Sequence, residues 1–304
     1  MDSHAPLPCS LRQLQYLVAV ADFGGFGRAA AQCHVSQPSL SAQVALVEEA
    51  LGVRVFERDR RSVRVSAAGA PVLEAARHAL VAAREVVAVA GQQADPFIGV
   101  VRIGIIPTAC PYLLPLITPA LRKKYPGLTV VWSEEQTSSL IARVADGQLD
   151  AAIAAEGRDT AGLESVELGR DPFVLAASPG HPLMRSRGPV NPTALRSVSV
   201  LLLEDGHCLR DQALALCARA GAGEAEYRAT SLSTLVQMVV NSDGVTVLPS
   251  LALAVENRGR QLATRQFTAP APARTLVLVW RRSSARRRTF EGIGATVRDA
   301  YRKK

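Results

Sequence analysis

The chain has 304 residues, 48% of them hydrophobic, and a formal net charge of +8. That length can bury two or three cores, and its apolar runs are broken by charge well short of the roughly 20 residues a membrane-spanning helix needs. Met1-Asp2-Ser3-His4 lacks the basic start and apolar stretch of an export signal, so a cytoplasmic protein with no membrane partner is expected.

Residues 11 to 53 carry apolar side chains at helical spacing, first Leu14, Leu17, Val18 and Ala21, later Leu40, Val44, Val47 and Leu51, which predicts three short helices. Val53 to Ser66 alternates apolar and charged residues around ERDRR, as a two-stranded wing would. From Ala67 to about Gln93, small residues recur at intervals of three and four (Val72, Ala76, Ala79, Ala83, Val86, Ala90). This reads as one long helix able to pair with a copy of itself. Pro96 and Gly99 then mark a hinge. Beyond it, apolar strands at Val100–Ile106, Leu128–Trp132, Ala151–Ala154, Phe173–Ala177, Val198–Leu203, Val245–Leu248 and Leu276–Trp280 alternate with helical segments, predicting an α/β domain with a mostly parallel sheet. The boundaries follow: 1–67, 68–95 for the long helix, and 96–304.

The positive charge is local. Residues 281 to 304 carry nine Lys/Arg and two Asp/Glu, whereas residues 1 to 95 carry nine of each, so global charge says little about nucleic acid. The pattern of residues 25 to 52 says more. Ser36 is a good N-cap, Pro38 sits in the first helical turn, and Gln37, Ser39, Ser41 and Gln43 offer amides and hydroxyls suited to base edges or phosphates. An ordinary helical hairpin with a polar face has the same composition. The wing adds Arg54, Arg58, Arg60, Arg61 and Arg64 against Glu57 and Asp59, a local +3 that can neutralise phosphates of double-stranded DNA.

The order LRQLQYLVAVAD, F-x-x-AA, VSQPSLSAQV, LG-x-x-x-FERDRR and S-x-x-G over residues 11 to 69 resembles LysR-type transcriptional regulators. Gly25 stands where Ser is common in that family and Cys33 where Leu is common. The resemblance implies an α/β protein with an N-terminal winged helix-turn-helix, a long dimerising linker helix and a two-lobed effector domain like a periplasmic binding protein. It further implies a homodimer or homotetramer that binds promoter DNA and works with RNA polymerase.

Five scattered cysteines do not form the dense framework of a secreted disulfide scaffold. Cys208 and Cys217, in DGHCLRDQALALC, lie nine residues apart on one expected helix, about 13 Å along its axis. A disulfide requires Cα atoms within about 7 Å, so the two can pair only if the helix unwinds. Cys208 sits at the helix start beside His207 and Arg210, where end-on amides and positive charge favour a nucleophilic thiolate. The plainer reading makes Cys217 a core residue and Cys208 an inert thiol. Zinc fits poorly, because HC-x8-C lacks paired short spacings, and no metal or cofactor is expected.

DGHCLRDQALALC, together with IPTACPYLLP, EEQT and RATSLSTLVQMV, resembles the OxyR branch of the family, whose signal is hydrogen peroxide. The resemblance implies that Cys208 is the peroxidatic and Cys217 the resolving cysteine. It also implies that Thr108, Thr137, His207, Asp211 and Arg281 line the pocket, and that reversible oxidation controls antioxidant genes, with activation among the outcomes. Cys110 departs from the branch, where a small residue such as Gly is expected; it either fills space or competes with Cys217 for a sulfenate. Two other functions remain: a LysR-type regulator that binds a small metabolite in the two-lobed cleft, and a thiol peroxidase that also binds DNA.

Overall fold

The computed structural model describes residues 7–58, 63–91, 95–221 and 223–303. The chain divides into two compact units, Met1–Ala94 and Asp95–Lys304.

The first unit opens with α1 (Leu11–Phe23), started by a Ser10/Gln13 capping box and stopped by Gly24 in the left-handed region. α2 (Phe26–Gln32) and α3 (Gln37–Leu51) follow, and Leu17, Val20, Phe26, Leu40, Val44 and Val47 close the core between them. β1 (Phe56–Arg58) and β2 (Val63–Val65) pair antiparallel as the wing, with Glu57 opposite Arg64. Glu48 fastens the wing to α3, its Oε1 accepting from the N–H groups of Val55 at 2.8 Å and Phe56 at 3.0 Å.

The expected long helix is α4 (Gly69–Gly91), a single element. Its first residue must be glycine on packing grounds, since a Cβ there would lie 2.3 Å from the Val55 carbonyl oxygen. The helix does not offer its whole small-residue stripe to a second copy: Val72 and Leu73 join the core of the first unit, and Ala76 is already buried in the single chain. Farther along, Val86 and Val87 are 71% and 73% exposed.

The second unit carries a nine-stranded sheet. β3 (Gly99–Ile105), β4 (Leu128–Glu134) and β5 (Ala151–Ala155) run parallel, joined through α5 (Cys110–Lys124) and α6 (Thr137–Ala145). β6 (Glu164–Ala177) then passes from this first lobe into the second. There it meets β7 (Ser199–Leu203), α7 (Cys208–Ala220), β8 (Gly223–Ala229), α8 (Leu232–Val240), β9 (Val245–Pro249), α9 (Leu253–Glu256) and β10 (Ala263–Gln266). β11 (Ala273–Trp280) returns to the first lobe, and α10 (Arg287–Arg302) closes it.

The sheet is therefore mixed, correcting the expectation of a mostly parallel one. β11 pairs antiparallel with both β5 and β6, and β6 pairs antiparallel with β9 and β10. The reason is topological. A chain that leaves one lobe and comes back must cross in both directions, and the two crossing strands lie side by side. The basic run after β11 is anchored at the first lobe, where Arg286 donates to the Val100 carbonyl and Arg287 pairs with Glu291.

Candidate functional site

In the first unit the start of α3 is set by Ser36, whose hydroxyl accepts from the Ser39 N–H at 3.3 Å, and by Pro38 in the first turn. Gln37, Pro38 and Ser39 are exposed, so this end of the helix is free to meet a duplex. Ser41 and Gln43 are half-buried, and Gln43 Oε1 accepts from Gln13 Nε2 at 3.0 Å. Gln43 thus braces α1 against α3, a role its position in the polar pattern did not reveal. Arg64 is exposed on the wing. Arg60 and Arg61 lie outside the described residues, as does the side chain of Arg58.

In the second unit three strand ends converge. Thr108 follows β3 just ahead of α5, Gln136 and Thr137 begin α6 after β4, and His207 and Cys208 begin α7 after β7. Open α/β sheets place ligand sites at such carboxyl ends, where the following helices aim free N–H groups and favour negative charge. These residues, with Gly206 and an apolar wall of Ile106 and Pro107, line a narrow crevice where the lobes close on each other. Gly206 allows the lobes to touch: its φ is +93°, and a Cβ on it would lie 2.4 Å from Gln136 Oε1.

Thr108, Thr137 and His207 are buried around Cys208, which is half-buried. Thr137 Oγ1 has no hydrogen-bond partner among the described residues, nor does the buried Oε1 of Gln212, one helical turn beyond Cys208. Arg210, expected to lend positive charge, is committed elsewhere. Its Nε donates to Asp205 Oδ1 at 2.8 Å and its Nη1 to the Leu203 carbonyl at 3.1 Å. Cys217 is 3% exposed on the same unbroken helix, and neither cysteine is in a disulfide. Among the described residues no group of three or more His, Cys, Asp or Glu side chains is arranged to hold a metal ion.

Two expected pocket residues stand apart. Asp211 is exposed on the first turn of α7 and does not line the crevice. Arg281 lies at the far end of the first lobe, where its Nη1 donates to the carbonyls of Val144 at 2.6 Å and Leu149 at 3.0 Å, capping the C-terminal end of α6. The arginine beside the crevice is Arg274, seven residues earlier and so about 23 Å away along an extended strand. Its Nη1 donates to Thr108 Oγ1 at 2.7 Å, its Nη2 to the Thr108 carbonyl at 2.9 Å, and its Nε to Asp171 Oδ2 at 3.0 Å. Sequence reading missed it because a single Arg in APARTLV has no local pattern.

Cys110 begins α5, buried, beside Glu134. Burial first, and the neighbouring carboxylate second, push that thiol up to about 12. It is held protonated, which disfavours attack on a sulfenate.

Residues 11–70 match the bacterial regulatory helix-turn-helix model of the lysR family, and residues 94–302 match the LysR substrate binding domain. The chain belongs to the LysR family of transcriptional regulators.

Within that family it falls in the OxyR branch. It is 41% identical over 291 residues to the hydrogen peroxide-inducible genes activator of Dickeya chrysanthemi, covering 95% of each chain. It is 40% identical over 290 residues to the DNA-binding transcriptional dual regulator OxyR of Escherichia coli, again covering 95% of each. A full-length OxyR from Pseudomonas aeruginosa with Cys replaced by Asp superposes with a TM-score of 0.81 at 32% identity, covering 97% of this chain and 96% of that one. A hydrogen peroxide-bound OxyR from Corynebacterium glutamicum with Cys replaced by Ser superposes at 0.66 and 35% identity, covering 98% and 96%.

Proposed function

We propose that this chain is a hydrogen peroxide-sensing, DNA-binding transcriptional regulator switched by a reversible Cys208–Cys217 disulfide. The observation that carries the reading is the crevice itself. A thiol at a helix N-terminus faces two threonine hydroxyls, one of them without a partner among the described residues. The crevice is closed far more tightly than metabolite sites, which run to roughly 300–1,000 Å³.

The Cys208 thiolate attacks one peroxide oxygen, the O–O bond breaks, and the other oxygen leaves as hydroxide, protonated to water. The product is a sulfenic acid. Cys217 then attacks the Cys208 sulfur, its thiol proton leaves with the sulfenic oxygen as a second water, and the disulfide forms. Because both thiols sit on α7 about 13 Å apart along its axis, that second step requires the helix to unwind. The changed surface of the second lobe alters how effector domains pack and repositions the winged readers on promoter DNA. The exposed Val86 and Val87 on α4 supply an apolar seam for pairing in a homodimer and, through it, a homotetramer. RNA polymerase responds to the repositioned reader. Each subunit reacts once and waits for reduction, so the protein is a sensor rather than a turnover peroxidase. Among the described residues no helix is long and apolar enough to cross a membrane.

The test is intact mass and thiol mapping of the reduced protein before and after one equivalent of hydrogen peroxide, with Cys208→Ser alongside. The expected result is loss of two hydrogens with Cys208 joined to Cys217, and a Cys208→Ser protein that binds promoter DNA without responding to peroxide. A normal transcriptional response in that variant would overturn the reading.

A further inference from the structure

Behind the crevice lies a buried ion pair. Asp171 on β6 and Arg274 on β11 are register partners on the crossing strands, and both side chains are fully buried. One carboxylate oxygen takes the Arg274 Nε hydrogen bond at 3.0 Å. The other accepts from Ser250 Oγ at 3.0 Å and from the Leu251 N–H at 2.9 Å. Of the other two guanidinium nitrogens, Nη1 goes to the Thr108 hydroxyl, and Nη2, which also lies 3.0 Å from Asp171 Oδ2, to the Thr108 carbonyl. Rotation of Arg274 would break several of these bonds at once, so its direction is fixed by Asp171.

This fixes the polarity of Thr108. Its hydroxyl oxygen already accepts from Arg274, so its own hydrogen is left to donate, and Thr108 lines the crevice with Cys208.

We infer that Asp171 is a positioning residue for oxidation of Cys208: through Arg274 it holds Thr108 as a hydrogen-bond donor toward the oxygen that leaves when the peroxide O–O bond breaks. The inference rests on the peroxide reading above. As the sulfur gives its electron pair to one oxygen, forming S–O, the other departs with the O–O pair as hydroxide and takes a proton from water or buffer. Sulfur is oxidised by two electrons and peroxide reduced by two. A fixed donor at the leaving oxygen stabilises charge that exists only in the transition state. The carboxylate touches no reacting atom. Asp171→Asn removes the charge that holds the guanidinium and leaves one acceptor for three donors, so an amide N–H opposes a donor at either Arg274 Nε or the Leu251 N–H and the grip on Arg274 loosens.

The experiment uses the full chain and measures two second-order rate constants at Cys208, one for hydrogen peroxide and one for iodoacetamide, whose iodide leaving group needs no donor. Asp171→Asn is expected to slow the peroxide reaction about 10²-fold, the scale of a misplaced catalytic group, and to leave alkylation within about twofold. In a Thr108→Val background, with the donor already gone, the same substitution should change the peroxide rate by less than about threefold, because residues acting as one unit are not additive. If Asp171→Asn does not fold, Asp171→Glu keeps the buried charge paired while displacing it by one methylene, and is expected to slow peroxide at least about tenfold under the same comparison. A peroxide rate equal to wild type, an equal loss for both reagents, or a full loss repeated in the Thr108→Val background each overturns the inference. If wild-type Cys208 fails to react with peroxide, the functional reading itself falls; a reactive wild type with indifferent variants removes Asp171 alone.

Discussion

Gly206→Ala should make the protein harder to reduce. The residue stands at φ +93°, where a non-glycine residue costs about 1–3 kcal/mol of backbone strain. Its new Cβ would also lie 2.4 Å from Oε1 and 2.8 Å from Cδ of Gln136, although that amide is the far end of a flexible side chain and can yield. Taking about 2 kcal/mol for the strain alone, and assigning it to the dithiol form because the proposed switch refolds residues 205 to 217 on oxidation, the reduced state rises by that amount relative to the disulfide. For a two-electron couple about 1.4 kcal/mol corresponds to about 30 mV, so the midpoint should become more negative by about 40 mV. The assay is equilibration in glutathione or dithiothreitol buffers of graded potential, followed by alkylation and mass counting of Cys208 and Cys217. Adding Gln136→Ala to Gly206→Ala removes the contact and leaves the strain, so most of the shift should persist. A midpoint that does not move, or moves to less negative potential, would refute the reasoning.

Two further outcomes follow from the same geometry. Arg64→Ala on the exposed face of the wing should weaken binding to promoter-length duplex about equally for all sequences and flatten the log affinity against log salt slope by about 0.9, read by titration over a range of salt. Cys110 should stay unalkylated at pH 8 and never appear in a disulfide after stoichiometric peroxide. Its folded thiol is pushed up to about 12 from 9.0, so above pH 9 the unfolded chain loses a proton that the folded one retains, and stability falls between those values. Cys110→Ala should flatten that decline in alkaline urea melts.

The reader unit was legible because its signals are local. Ser36, Pro38 and the apolar spacing of Leu40, Val44 and Val47 all act within one helix. The seven predicted strands exist for the same reason, each being an apolar run. β8 and β10, with the sequences GEAEYRA and ATRQ, were missed because they are short or polar, and the first half of β6 because Gly169 and Pro172 interrupt it. The long-range features were opaque. Asp171 and Arg274 lie 103 residues apart, and each alone reads as a solvated charge; only the β6–β11 register brings them together. Arg281 was implied by the resemblance, just after LVLVW, yet its Nη1 donates to the carbonyls of Val144 in α6 and of Leu149 beyond it. The small-residue stripe of α4 was real as a pattern, but periodicity does not say whether a face meets its own domain or another chain. Leu73 and Ala76 settle that locally.

If Cys217 resolves a Cys208 sulfenate as proposed, its burial, at 3% exposure, sets a clock. A resolving thiol packed in the core cannot meet a sulfenate by diffusion; it must wait for α7 to open, and local opening has its own rate, independent of how much oxidant is present. A brief pulse of peroxide therefore leaves many subunits in the one-oxygen state, from which a reductant can return them before any rearrangement. A sustained exposure lets the opening occur and the bond close. The regulator built this way responds to duration as well as dose, and substitutions that loosen the packing of Leu209, Leu216 or Cys217 would shorten the interval it tolerates before committing.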